Sequence, residues 1–132
     1  MLPARRAMLA EALAEMEDPV AVWLEADEGV AAAQDLAQLL TIQPLLALAR
    51  RAPEANAFLP PDRYPLYRLG PIGDRSQARA GFIGFPEGFM LDAFCDIAVA
   101  LSRGDRLASA LAHDTLRHLV RPVDVKVLTS PG

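Results

Sequence analysis

The sequence predicts an α/β fold: a mixed four-stranded sheet flanked by helices, plus a C-terminal extra strand. Three observations carry this expectation. A strand-like run at 20–26 is followed by a helical stripe and a second strand-like run. Such a strand–helix–strand unit gives a parallel pair through a right-handed crossover. Two short apolar runs at 66–69 and 80–85 flank a turn-rich link and pair as an antiparallel hairpin. That hairpin ends in Gly84-Phe85-Pro86-Glu87-Gly88 and passes straight into the clearest helix of the chain.

Residues 3–17 read as a helix, because Leu9, Leu13 and Met16 recur at helical spacing, with Met8 and Ala12 beside them. Pro3 suits its first turn, and Asp18-Pro19 stops it. In 20–26, Val20, Val22 and Leu24 alternate with Ala21 and Trp23, so both faces are apolar and the strand belongs in the sheet centre. Asp27-Glu28-Gly29 makes the turn into a second helix over 30–41, with Leu36, Leu39 and Leu40 inward. Pro44 lacks an amide donor and clashes with the preceding helical turn, so 45–50 reads as a strand parallel to the first. The competing reading is a kinked helix to Arg51 with the strand moved to 55–59. A long connection with Pro53, Pro60 and Pro61 occupies 51–63.

In the second hairpin strand, Gly81 and Gly84 suggest a bulge or a close backbone approach. The helix at 87–103 carries the stripe Met90, Phe94, Ile97, Leu101, and Gly104 closes it. A further helix is expected over 107–120, ended by Pro122. The tail at 123–128 alternates strictly, as a half-buried strand does. With helices on both faces of the sheet, this element order is the thioredoxin-like arrangement.

The span 64–104 resembles the N-terminal domain of the flavoprotein subunit of alkyl hydroperoxide reductase, and the glutaredoxin-like protein disulfide oxidoreductases. The residues that carry the resemblance are Tyr64-Pro65 before a short strand, and Arg79-Ala80-Gly81-Phe82-Ile83-Gly84-Phe85-Pro86-Glu87-Gly88 leading into the helix. In those families two thioredoxin-like units stand in tandem; the first has lost its redox cysteines and the second carries Cys-x-x-Cys. The resemblance implies that 1–121 is the first kind of unit, lacking Cys-x-x-Cys, and that 122–132 is an extra strand like the start of a second unit. It also implies a vestigial active-site face made of Asp27, Glu28, Gly29, Tyr64 and Pro65, with a cis bond at Tyr64-Pro65, and no catalytic residue. The implied role is scaffold and docking unit for a catalytic Cys-x-x-Cys unit or a peroxiredoxin-reducing system. A free-standing interaction or chaperone-like module is the alternative.

Bulk composition agrees. The chain has 132 residues, enough for one domain with a real core. Its net charge of −4 argues against a nucleic-acid partner. No apolar run reaches the about 20 residues that span a bilayer, so no membrane partner and a cytoplasmic protein are expected. No cofactor or metal is expected. The single cysteine, Cys95, excludes an internal disulfide and a Cys-x-x-Cys pair, and its mid-helix apolar setting reads as a small buried hydrophobe. His113 and His118, five residues apart on a helix, diverge by about 140° and do not face a common ion. Asp27 with Glu28, and Asp114 with His113, read as solvated charge rather than acid–base pairs. The tail strand is expected to pair with another chain, giving a possible homodimer.

Overall fold

The apolar run after Pro19 forms the central strand, and the rest of the molecule is arranged around it. The structure, a computed structural model, describes residues 1–26, 31–52, 65–73, 78–84, 86–104, 114, 115 and 117–121. In chain order the elements are α1 (Pro3–Leu13), β1 (Val20–Glu25), α2 (Gln34–Ile42), β2 (Leu46–Arg51), β3 (Leu66–Pro71), β4 (Ala80–Ile83) and α3 (Phe89–Arg103). The sheet order is β2-β1-β3-β4. β2 runs parallel to β1, while β3 is antiparallel to both β1 and β4. The strand after Pro44 is therefore the observed one, and the kinked-helix alternative is not.

All six residues of β1 are buried, as its two apolar faces require. Val20, Val22 and Leu24 join Tyr67, Leu69 and Phe82 on one face, where Leu9 and Leu13 of α1, Leu36 and Leu39 of α2, and Leu91, Phe94, Cys95 and Ala98 of α3 cover them. Each fully buried leucine there contributes roughly 1.5–3 kcal/mol by removal from water. The rings of Phe82 and Phe94 meet in a tilted pair with centroids 5.6 Å apart. Ala21, Trp23 and Glu25 are buried on the reverse face. Helices on both faces were expected; among the described residues, the three helices all pack into the Val22 and Leu24 face.

Element ends follow from local chemistry. α1 stops at Leu13, four residues short of the expected end. There the Leu13 carbonyl accepts from the Gln43 side-chain amide at 2.8 Å and from Met16 N at 3.1 Å. Met16 still reaches the core, which is why its spacing mimics a longer helix. α2 starts at Gln34 rather than Val30, because Ala33 is extended (φ −54°, ψ 145°). It stops at Ile42 because Gln43, next to Pro44, is pushed to φ −121°, ψ 101°.

β3 runs on to Pro71, beyond the expected Leu69. Pro71 lies opposite Val20, whose N–H is already given to Leu45 O at 2.9 Å. The pair is thus a non-hydrogen-bonded one, and the missing proline donor faces the side where β4 has ended. β4 keeps an unbroken register through Gly81, so no bulge forms there; Gly84, with φ +88°, turns the chain after the strand.

Gly104 closes α3 in the left-handed conformation, φ +69°. Ser102, one turn from that end, is buried and fastens α3 to the α1–β1 connection. Its Oγ accepts from Glu17 N and Asp18 N, both at 2.8 Å, and donates to Asp18 O at 2.6 Å. Of the helix expected over 107–120, residues 114, 115 and 117 are helical, but the helix has ended by His118, and Leu119 and Val120 are exposed. The tail at 123–128 lies outside the described residues.

Candidate functional site at the end of β1

Sheet register brings four strand ends to one rim. Glu25 lies opposite Arg51 on one side and Leu66 on the other, and Leu66 lies opposite Ile83. The N-terminus of α2 also opens here, at Ala33, as does that of α3 at Gly88. Both carry the partial positive charge of unsatisfied amides. Arg5 of α1 reaches the same end, donating to Gly88 O at 3.2 Å and pairing with Asp92 Oδ1 at 3.0 Å.

Of the residues expected to make up a vestigial active-site face, Pro65 is described. It is fully buried directly before β3, and its carbonyl accepts from Gly84 N at 2.8 Å. That bond ties the start of β3 to the end of β4. Asp27, Glu28, Gly29 and Tyr64 lie outside the described residues, and with Tyr64 so does the Tyr64-Pro65 bond. The chain leaves the described set after Ala26, whose N–H bonds Arg51 O at this rim, and returns at Ala31.

The structure adds a charged pair that the sequence reading passed over. The Glu25 carboxylate is buried, and Arg68 Nε meets it at 3.2 Å across β1 and β3. The available signal was a carboxylate closing an otherwise apolar strand. Tyr67, on the opposite face, is also wholly buried. Burial pushes its phenol pKa up, while the nearby Ala33 backbone and the Arg50 charge pull it partly back.

Cys95 sits away from the rim, on the buried face of α3. Loss of hydration raises its thiol pKa to about 12, and the carboxylates of Asp92 and Asp96 push the same way against Arg5. A group held protonated in this way is no nucleophile at neutral pH. His118 is engaged locally, its Nδ1 lying 2.7 Å from Asp114 O, and the Asp114 carboxylate pairs with Arg117. His113 lies outside the described residues. Among the described residues no cluster of potential metal ligands occurs, and no helix is long and apolar enough to cross a membrane.

No protein-family model and no curated protein matches the chain. Solved structures do. The alkylhydroperoxide reductase protein AhpF of Enterococcus faecalis superposes with a TM-score of 0.64 at 12% identity, over 90% of this chain and 61% of that one. The NTD_N/C domain of AhpF, solved separately, gives 0.62 at 11% identity, over 88% and 59%. A protein disulfide oxidoreductase from Aeropyrum pernix K1 gives 0.61 at 20% identity, over 89% and 55%. This chain therefore spans a little over half the length of each. At these identities the shared property is architecture: the sheet order, the parallel β1–β2 pair and the hairpin leading into α3 give this chain a thioredoxin-like fold.

Proposed function

We propose that this chain is a redox-inactive thioredoxin-like module of a thiol–disulfide or peroxiredoxin-reducing system, working in the cytoplasm. It acts as scaffold and docking unit for a partner that carries Cys-x-x-Cys. One observation carries the reading: the only cysteine is buried in α3 with its pKa pushed up to about 12. The sequence that follows β1, where a working thioredoxin keeps its thiols, reads Asp27-Glu28-Gly29. Carboxylates exchange no disulfides. The likeness to an alkylhydroperoxide reductase and a protein disulfide oxidoreductase supports the choice of system.

The test has two arms. The reduced chain alone should show no turnover in an insulin-reduction assay. Titration calorimetry should show a stoichiometric complex with a peroxiredoxin-reducing Cys-x-x-Cys unit from the same source. Turnover by the chain alone overturns the inactive reading, and absence of a complex overturns the docking role. The alternative, an interaction module without redox work, draws on the exposure of β2, where five of six residues are open to solvent.

A further inference from the structure

The end strand of the described sheet is open, and the register says which of its backbone groups face outward. Val20 N donates to Leu45 O at 2.9 Å, and Ala26 N donates to Arg51 O at 3.3 Å. The odd-numbered residues of β2 therefore turn their backbone groups toward β1. By alternation, Leu46, Leu48 and Arg50 turn theirs away from the sheet. Gln43 O takes the Leu46 N–H at 3.1 Å. The carbonyl of Leu46 and both groups of Leu48 and Arg50 stay on the outer edge. Residues 47–51 are exposed, Leu48 to 37%.

The edge is also charged on one sign. Arg50 and Arg51 enter none of the ion pairs among the described residues, on a chain whose net charge is −4. Successive side chains of a strand point to opposite faces, so Arg50 lies on the side of Leu48, and Arg51 on the side of Ala47 and Ala49.

We propose that the β2 edge binds an extended acidic segment of a partner protein by antiparallel strand addition, with an apolar residue beside Leu48 and carboxylates beside Arg50 and Arg51. Strand addition draws its affinity from main-chain hydrogen bonds and its specificity from side-chain neighbours. Two consecutive carboxylates alternate between faces as the two guanidiniums do, so one register satisfies both. A second copy fits poorly. Antiparallel self-pairing centred on Leu48 sets Arg50 against Leu46 and Arg51 against Leu45, and residues 44–47 hold no carboxylate. The inference stands whether or not the module serves a redox system.

The probe is a fluorescent, end-blocked peptide, Glu-Glu-Thr-Val-Thr-Val, titrated with the full chain and read by anisotropy. Its glutamates fall opposite Arg51 and Arg50 in the antiparallel register. Saturable binding is expected, weakening as salt is raised and at least about tenfold weaker for the Lys-Lys analogue. The double variant Arg50→Glu/Arg51→Glu should lose at least about tenfold in affinity. So should Leu48→Pro, which removes an outward donor and leaves the β1 ladder whole. Circular dichroism checks that both variants fold. Failure of the native chain to saturate overturns the proposal. So does equal binding of the lysine peptide, undiminished binding by both folded variants, or a native homodimer that blocks the peptide.

Discussion

Replacing Ser102 with alanine deletes one oxygen and three hydrogen bonds. That oxygen accepts from Glu17 N and Asp18 N and donates to Asp18 O, all within 2.8 Å. A neutral hydrogen bond contributes about 1 kcal/mol net, so the three together contribute about 3 kcal/mol. Two effects reduce the observed loss. Glu17 and Asp18 are exposed, so water can reach their freed amides. Alanine is also the better helix former, by about 0.5 kcal/mol. The expected cost of Ser102→Ala is therefore about 2 kcal/mol. For a chain of this size that corresponds to a fall of about 5–10 °C in melting temperature. Urea and thermal unfolding followed by circular dichroism measure it. A loss below about 0.5 kcal/mol would show that the latch contributes little beyond what water supplies, and would refute the additive reasoning. The variant should leave peptide binding at β2 unchanged, because the Ser102 side chain bonds the α1–β1 connection and none of the β2 residues.

Further expectations follow from the same contacts. Cys95 should react with a disulfide reagent roughly a thousandfold or more slower in the native chain than in denaturant, because access requires opening the core; fast stoichiometric labelling refutes its burial. Its folded pKa lies above the unfolded value of 9.0, so the native state holds the proton longer. Stability should be fully present below pH 9 and fall as pH rises toward 12, by up to about 1.4 kcal/mol per pH unit. Melts at pH 8–10 should show this slope, and Cys95→Ala should flatten it. Glu25→Gln and Arg68→Met, combined in a double-mutant cycle, should couple by about 1 kcal/mol, a modest value because Arg68 is 36% exposed; zero coupling removes the pair as a fastening. Gly104→Ala should cost about 1 kcal/mol from its left-handed backbone alone, since nothing lies within 4 Å of the added carbon. Gly81→Ala should change stability by less than about 0.5 kcal/mol, because its added carbon meets Leu66 at an ordinary 3.7 Å. Equal losses at the two glycines would refute the conformational argument.

The fold was legible wherever a signal was local. Pro44 dictates the extended Gln43 and hence the change from α2 to β2. The two apolar faces of residues 20–25 announce a central strand, and Gly104 announces a helix end. Errors arose where a distant residue decides. α1 ends at Leu13 because an amide thirty positions later takes its carbonyl, while Met16 keeps the helical spacing going. β3 extends through Gly70 and Pro71, both turn-like residues, because the register with β1 asks for no donor at Pro71. The site was less legible. Of the five residues expected to form a vestigial face, Pro65 alone is among the described residues, and the pairing of Glu25 with Arg68 joins residues 43 apart, which no pattern in either strand specifies. The openness of the β2 edge is likewise a property of sheet order, which a linear reading of residues 46–51 does not contain.

Gln43 has a meaning beyond its place at the end of α2. Its side-chain nitrogen holds Leu13 O at 2.8 Å, and its side-chain oxygen takes Leu45 N at 3.1 Å. With Ser102 it fastens the end of the molecule where β1 begins. At the opposite end, the described helix starts are joined by partly exposed ion pairs such as Arg5–Asp92, worth at most about 1 kcal/mol. Removing one of these exposed pairs puts little folding free energy at risk, whereas removing the Gln43 or Ser102 contacts releases whole segments of backbone from the core.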